Sequence, residues 1–160
     1  MQPVLPGDLD TGTLALFVGF TAAAAVQESL EGQGFSGLRF SHGYVFQHLV
    51  GDTGPTVGDL APKLGVTQQA ASKTVAELER LGYVERIADP RDARIRHVHL
   101  TRRGHEAVAA ARRAREALES RLAARGGEKR LEECRELLTE LLDELGGTPA
   151  VRLRQVRPPR

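Results

Sequence analysis

Two short apolar stripes separated by a single glycine constrain this chain more than any other feature. Leu60 and Leu64 lie four residues apart, on one face of a helix expected over 57–64 with Thr56 as its cap, and Gly65 stands where a left-handed residue ends such a helix. Thr67 follows almost at once and caps a second helix running to 81, in which Ala71, Val75 and Leu78 form the buried stripe. Two helices joined this tightly read as a helix-turn-helix. Gly82 closes the second helix, 83–87 alternates as a strand, and Ala88, Asp89, Pro90, Arg91 and Asp92 turn the chain. The return strand, 96–100, has Val98 and Leu100 on one face and His97 and His99 on the other. A hairpin placed directly after a helix-turn-helix is a wing.

Around this core the chain is helical. A first helix is expected over 13–31, capped by Thr11 or Thr13, with Phe17, Phe20 and Ala24 at helical spacing as core residues. A second, over 44–50, is capped by Ser41 and stopped by Gly51, Asp52, Gly54 and Pro55. Beyond the wing, Thr101 caps a long helix carrying Val108, Ala111, Leu118 and Leu122 as far as Gly126 and Gly127. A last helix to Leu145 repeats Leu131, Cys134, Leu138, Leu141 and Leu145 at three-four spacing, so this pair needs a partner for its apolar stripes. Residues 1–10 and 147–160, the latter rich in Arg, read as a loose leader and tail. The expected fold class is mainly α with a small β-wing. No internal repeat and no glycine-rich phosphate loop occurs.

Composition narrows the function classes. With 41% hydrophobic and 27% charged residues in 160, the chain can bury one modest core. Its formal charge of +1 gives no support to a nucleic-acid coat or a generally membrane-adhering surface. The sum hides a dipole: residues 1–50 hold one Arg against Asp8, Asp10, Glu28 and Glu31, whereas 86–103 holds six Arg (86, 91, 94, 96, 102, 103) against two Asp (89, 92), a local +4. A single Cys excludes an intrachain disulfide framework and any CxxC metal knuckle, and fits a reducing compartment. The longest uncharged run, 14–27, falls short of the roughly 20 apolar residues a bilayer span needs, and no basic start precedes it, so a cytoplasmic protein without membrane contact is expected.

The face of the second stripe-bearing helix opposite Ala71, Val75 and Leu78 carries Gln69, Lys73, Ala76 and Arg80, flanked by Ser72, with Gln68 at the helix start. A helix fits the major groove, where Gln bonds adenine bidentately and Lys reaches guanine or phosphate. A polar face is otherwise simply solvated; the adjacent wing tilts the reading toward DNA, because Arg at a hairpin tip suits a narrow minor groove. Asp92 is expected to pair with Arg94 and hold the tip.

The run from Asp59 to Gly104, above all LERLGYVER and DPRDAR followed by VHLT, resembles the winged helix-turn-helix of the MarR family of bacterial transcription regulators. With flanking helices the resemblance covers roughly residues 10–145. It implies a homodimeric repressor on a pseudo-palindromic double-stranded DNA operator, with N-terminal (11–35) and C-terminal (101–146) dimerisation helices around a DNA-binding domain (36–100). Carried over by position, Gln68, Gln69, Ser72 and Lys73 lie in the major groove, Arg94 enters the minor groove braced by Asp92, and Arg91 is an auxiliary contact. The resemblance also implies a cleft for a small aromatic or phenolic effector, for which Phe17, Phe20, Arg39, His42 and Tyr44 are the candidates, although Arg39 and His42 depart from the commoner pattern. Cys134 is expected to be a small buried hydrophobe rather than a redox switch, and His97 and His99 to contribute polarity rather than a metal site. No cofactor and no enzymatic constellation are expected. The competing class is a winged-helix protein-interaction module, which would tolerate loss of Arg91 and Arg94.

Overall fold

The computed structural model describes residues 4–51 and 54–155. Among the described residues, the hairpin and six of seven α-helices follow in the order expected from the sequence, and the seventh lies in the expected tail. Helix α1, Thr11–Gly32, starts from Asp10, whose carboxylate accepts the Thr13 N–H at 3.0 Å and the Thr13 hydroxyl at 2.6 Å. The cap is therefore the acid just upstream of the two threonines expected to serve, and its hydrogen bonds hold the Asp10 carboxyl below the ordinary carboxylate range. Helix α2, His42–Leu49, begins two residues before the expected start, and Ser41 already has helical backbone and makes no capping bond. The leader is not wholly irregular, since Pro6–Asp8 forms a 3-10 turn closed by the Leu5 N–H on Asp8.

Helix α3, Val57–Leu64, matches its expected bounds because both ends are chemically marked. Thr56 Oγ1 accepts the Asp59 N–H at 3.2 Å, Asp59 accepts the Thr56 N–H at 2.9 Å, and Gly65 adopts φ 60° at the other end. Helix α4, Gln68–Arg80, is capped by Thr67, which accepts the Ala70 N–H at 3.1 Å. Strands β1, Val84–Ala88, and β2, Arg96–Leu100, pair antiparallel from Val84 opposite Leu100 to Ala88 opposite Arg96. Helix α5, Arg102–Gly126, is capped by Thr101, α6 is Glu128–Glu144, and α7 is Thr148–Arg152. The expected loose tail thus contains a short helix, with Arg154 beyond it donating to the Gln47 carbonyl; residues 156–160 lie outside the described residues.

The core lies under the winged helix. Leu60, Ala71, Val75, Leu78, Tyr83 and Val98 are fully enclosed, which realises the stripe read on α4 and the inward face read on β2. Tyr83 donates its hydroxyl to the Ser36 carbonyl at 2.8 Å, so the polar tip of the buried ring is satisfied.

Outside this core the expectations reverse. Phe17 and Phe20, expected in the core, are 56% and 54% exposed, and Leu30 is the one buried residue of α1. Cys134, expected to be buried, is exposed, as are Leu137 and Leu138 on the same helix and Leu145 just after it. The spacing on these helices shows which residues share a face, but among the described residues no element covers Phe17, Phe20, Leu137 or Leu138. The length argument against a bilayer span also fails, because α1 is a 22-residue helix, charged only at Glu28 and Glu31, and is long and apolar enough to cross one.

Candidate nucleic-acid interface

Burial sorts α4 into two faces. Ala71, Val75 and Leu78 have no accessible surface, and Gln68, Gln69, Ser72 and Lys73 are all exposed on the outer side. The helix has its first-turn amides open at this end, where Thr67 engages only the Ala70 N–H. The candidate groove contacts are thus presented together on a helix whose rotation is fixed by its buried stripe.

The wing carries exposed Arg91, Asp92 and Arg94. Its turn is organised by Asp89, which the sequence reading placed in the turn without a bonding role. One Asp89 oxygen accepts the backbone N–H of Arg91 at 2.7 Å and of Asp92 at 3.2 Å, and the other lies 3.0 Å from His97 Nε2. The His97 hydrogen bond, then the backbone bonds, hold the Asp89 carboxyl below its ordinary range. Asp92 does brace Arg94, but through the main chain: its carboxylate accepts the Arg94 N–H at 2.9 Å. The expected pairing with the guanidinium is absent from the ion pairs among the described residues, which leaves the Arg94 side chain to reach outward.

Arg86, counted in the local positive charge, has a different task. It pairs with Glu79 of α4 at 2.8 Å and lies 3.4 Å from the Ser72 carbonyl, tying β1 to α4. Spacing alone could not show this, because the two partners lie on different elements. His97 and His99 sit with ring centroids 6.5 Å apart, and among the described residues no group of three His, Cys, Asp or Glu side chains could hold a metal ion.

A cleft of about 750 Å³ opens between α1, α2 and α5. Arg39 and Tyr44 line it, as expected, and Phe40, Arg112 and Arg115 join them; Phe40 and Tyr44 meet edge to face at 5.6 Å. Phe17, Phe20 and His42 do not line it. The two phenylalanines project from α1 to solvent, and His42 is wholly buried. His42 Nδ1 accepts the Arg39 N–H at 3.0 Å, and Nε2 lies 3.6 Å from Glu77, the residue on α4 to which the Arg39 guanidinium is bound. Burial first, then the Arg39 charge, push the His42 pKa down and keep the ring neutral.

Comparison with known proteins gives this geometry a setting. Residues 36–95 match the model of the MarR family. No curated protein matches the chain. Among solved structures, the S. aureus MepR–DNA complex is 24% identical, covers 84% of this chain and 98% of its own, and superposes with a TM-score of 0.69. The YusO protein of Bacillus subtilis is 20% identical over 82% of this chain and 92% of its own, with a TM-score of 0.67. The transcriptional regulator Tm0710 of Thermotoga maritima is 21% identical over 87% and 96%, with a TM-score of 0.62. At these identities the structures establish a shared fold, which extends from the winged helix over the flanking helices. The segment 36–95 is thus similar to the MarR family, and the described chain shares the winged-helix fold of these solved structures.

Proposed function

We propose that this protein is a sequence-specific DNA-binding transcription regulator that acts as a homodimer, and a repressor where its operator overlaps a promoter. One observation carries the reading: the exposed polar face of α4 stands opposite a fully buried stripe and is tied through Glu79 and Arg86 to a wing with two outward arginines. In this reading Gln68, Gln69, Ser72 and Lys73 contact bases and phosphates in the major groove, while Arg94, and secondarily Arg91, enter the flanking minor groove. Asp92 positions Arg94 through the backbone. Structural relatives include one solved as a DNA complex, MepR.

The exposed apolar side chains of α1 and α6 support the dimer, because a second copy is the simplest cover for both stripes at once. A two-fold dimer reads a pseudo-palindrome with half-sites about one helical turn apart. Burying α1 in that interface favours a cytoplasmic protein over a membrane-inserted one. The cleft of Arg39, Phe40, Tyr44, Arg112 and Arg115, cationic with an aromatic wall, suits a small aromatic or phenolic anion as effector. Selection of bound sequences from a random DNA pool, at stated salt, tests the function. A palindromic consensus is the expected outcome; recovery of unselected sequence overturns it and favours a protein-interaction winged helix.

A further inference from the structure

His97 lies on β2, outside the face assigned to base contacts, and links three segments. Its Nε2 is 3.0 Å from Asp89 Oδ2 in the wing turn, and its Nδ1 faces the Gly54 carbonyl oxygen in the loop before α3. Both partners are acceptors, and a neutral imidazole carries one N–H. Both bonds therefore require the ring to hold two protons. The loop is shaped for this approach: Gly54 sits at φ 49°, and a Cβ there would lie 2.3 Å from the His99 ring and 3.3 Å from His97 Cβ. Next to it the Val98 N–H donates to the Pro55 carbonyl at 2.9 Å, so loop and strand are already in register.

From the ring the connection continues outward. Asp89 holds the Arg91 and Asp92 amides, and Asp92 holds the Arg94 amide. We propose that His97 is a positioning residue for DNA binding, whose imidazolium clasps the wing turn to the loop before α3 and thereby fixes where Arg91 and Arg94 stand. This rests on the DNA-binding reading above.

The charged groups around the ring favour the cation. Asp89 faces it from the wing turn and Asp59 from the start of α3, the latter in the field of Lys63; His99 on the same strand opposes when protonated. The Asp89 hydrogen bond, then the Gly54 bond, raise the His97 pKa above its ordinary value. The clasp is complete below the ordinary imidazole range and is lost as pH rises through the raised value. Asp89, pushed down, stays ionised throughout.

The test has two arms on the full chain. In the free protein, ring nitrogen NMR from about pH 6 to about pH 9 should show His97 with both nitrogens protonated at the acid end and a pKa that falls in Asp89→Asn. On the selected operator, wild-type affinity should fall several-fold over that range, with His97→Gln weaker at the acid end and nearly flat, and His99→Gln retaining the wild-type slope. Melting curves verify that each variant folds. A singly protonated His97 at the acid end, or an unchanged slope in His97→Gln, overturns the proposal. Absence of operator binding at every pH instead defeats the DNA reading, and the ring spectrum still decides whether the clasp exists.

Discussion

The winged helix and the outer helices obey opposite rules. In the winged helix the apolar stripes of α3, α4 and β2 meet one another, and Leu60, Val75, Leu78 and Val98 have no accessible surface. On α1 and α6 the same kind of stripe leaves Phe17, Phe20, Leu137 and, just past α6, Leu145 more than half exposed. The first region is closed within one chain. The second is left uncovered among the described residues, and in the proposed dimer its exposed area would be the contact surface between copies.

Three substitutions probe that contrast. Leu137→Glu places a charge in the exposed stripe of α6; the particle mass by light scattering should fall to that of one chain, and operator affinity by about 100-fold or more as the second half-site contact is lost. Unchanged mass would put the interface elsewhere. Leu78→Ala in the closed region should cost about 2–5 kcal/mol in denaturant titrations, through lost burial and a cavity. The cost should be the same in the Leu137→Glu background, since no part of that packing depends on a second copy. Arg94→Ala should weaken operator binding by about 1–3 kcal/mol at matched salt and leave mass and melting temperature unchanged. Equal affinity would remove Arg94 from the interface.

What was legible in the sequence follows the same division. Local chemistry was readable: the cap at Thr56, the glycine at 65, and the alternation of β2 gave element bounds to the residue. The face of α4 was readable because its stripe is complete within 13 residues. Misreadings arose where a local rule had two candidates or where the partner is remote. Asp10 displaced two threonines as the cap of α1, and periodicity on α1 and α6 showed which residues share a face but not whether that face is covered. The tie of Arg86 to Glu79, and the binding of Arg39 to Glu77, 38 residues away, need the tertiary fold to become visible. Among the cleft candidates, Arg39 and Tyr44 were found, while Arg112 and Arg115 come from a helix that begins beyond the wing.

The seat of α5 has a mechanical consequence. Thr101 donates its N–H to the Tyr83 carbonyl at 3.0 Å, and a Cβ at Gly104 would lie 2.1 Å from that same oxygen, so the helix starts in direct contact with the chain entering β1. From this fulcrum a rigid arm of 25 residues extends about 37 Å. A tilt of about 5° at the seat moves the far end by about 3 Å, close to the rise of one base pair. In the proposed dimer, any substitution larger than glycine at 104 would therefore be felt less as a local clash than as a change in the distance between two reading heads.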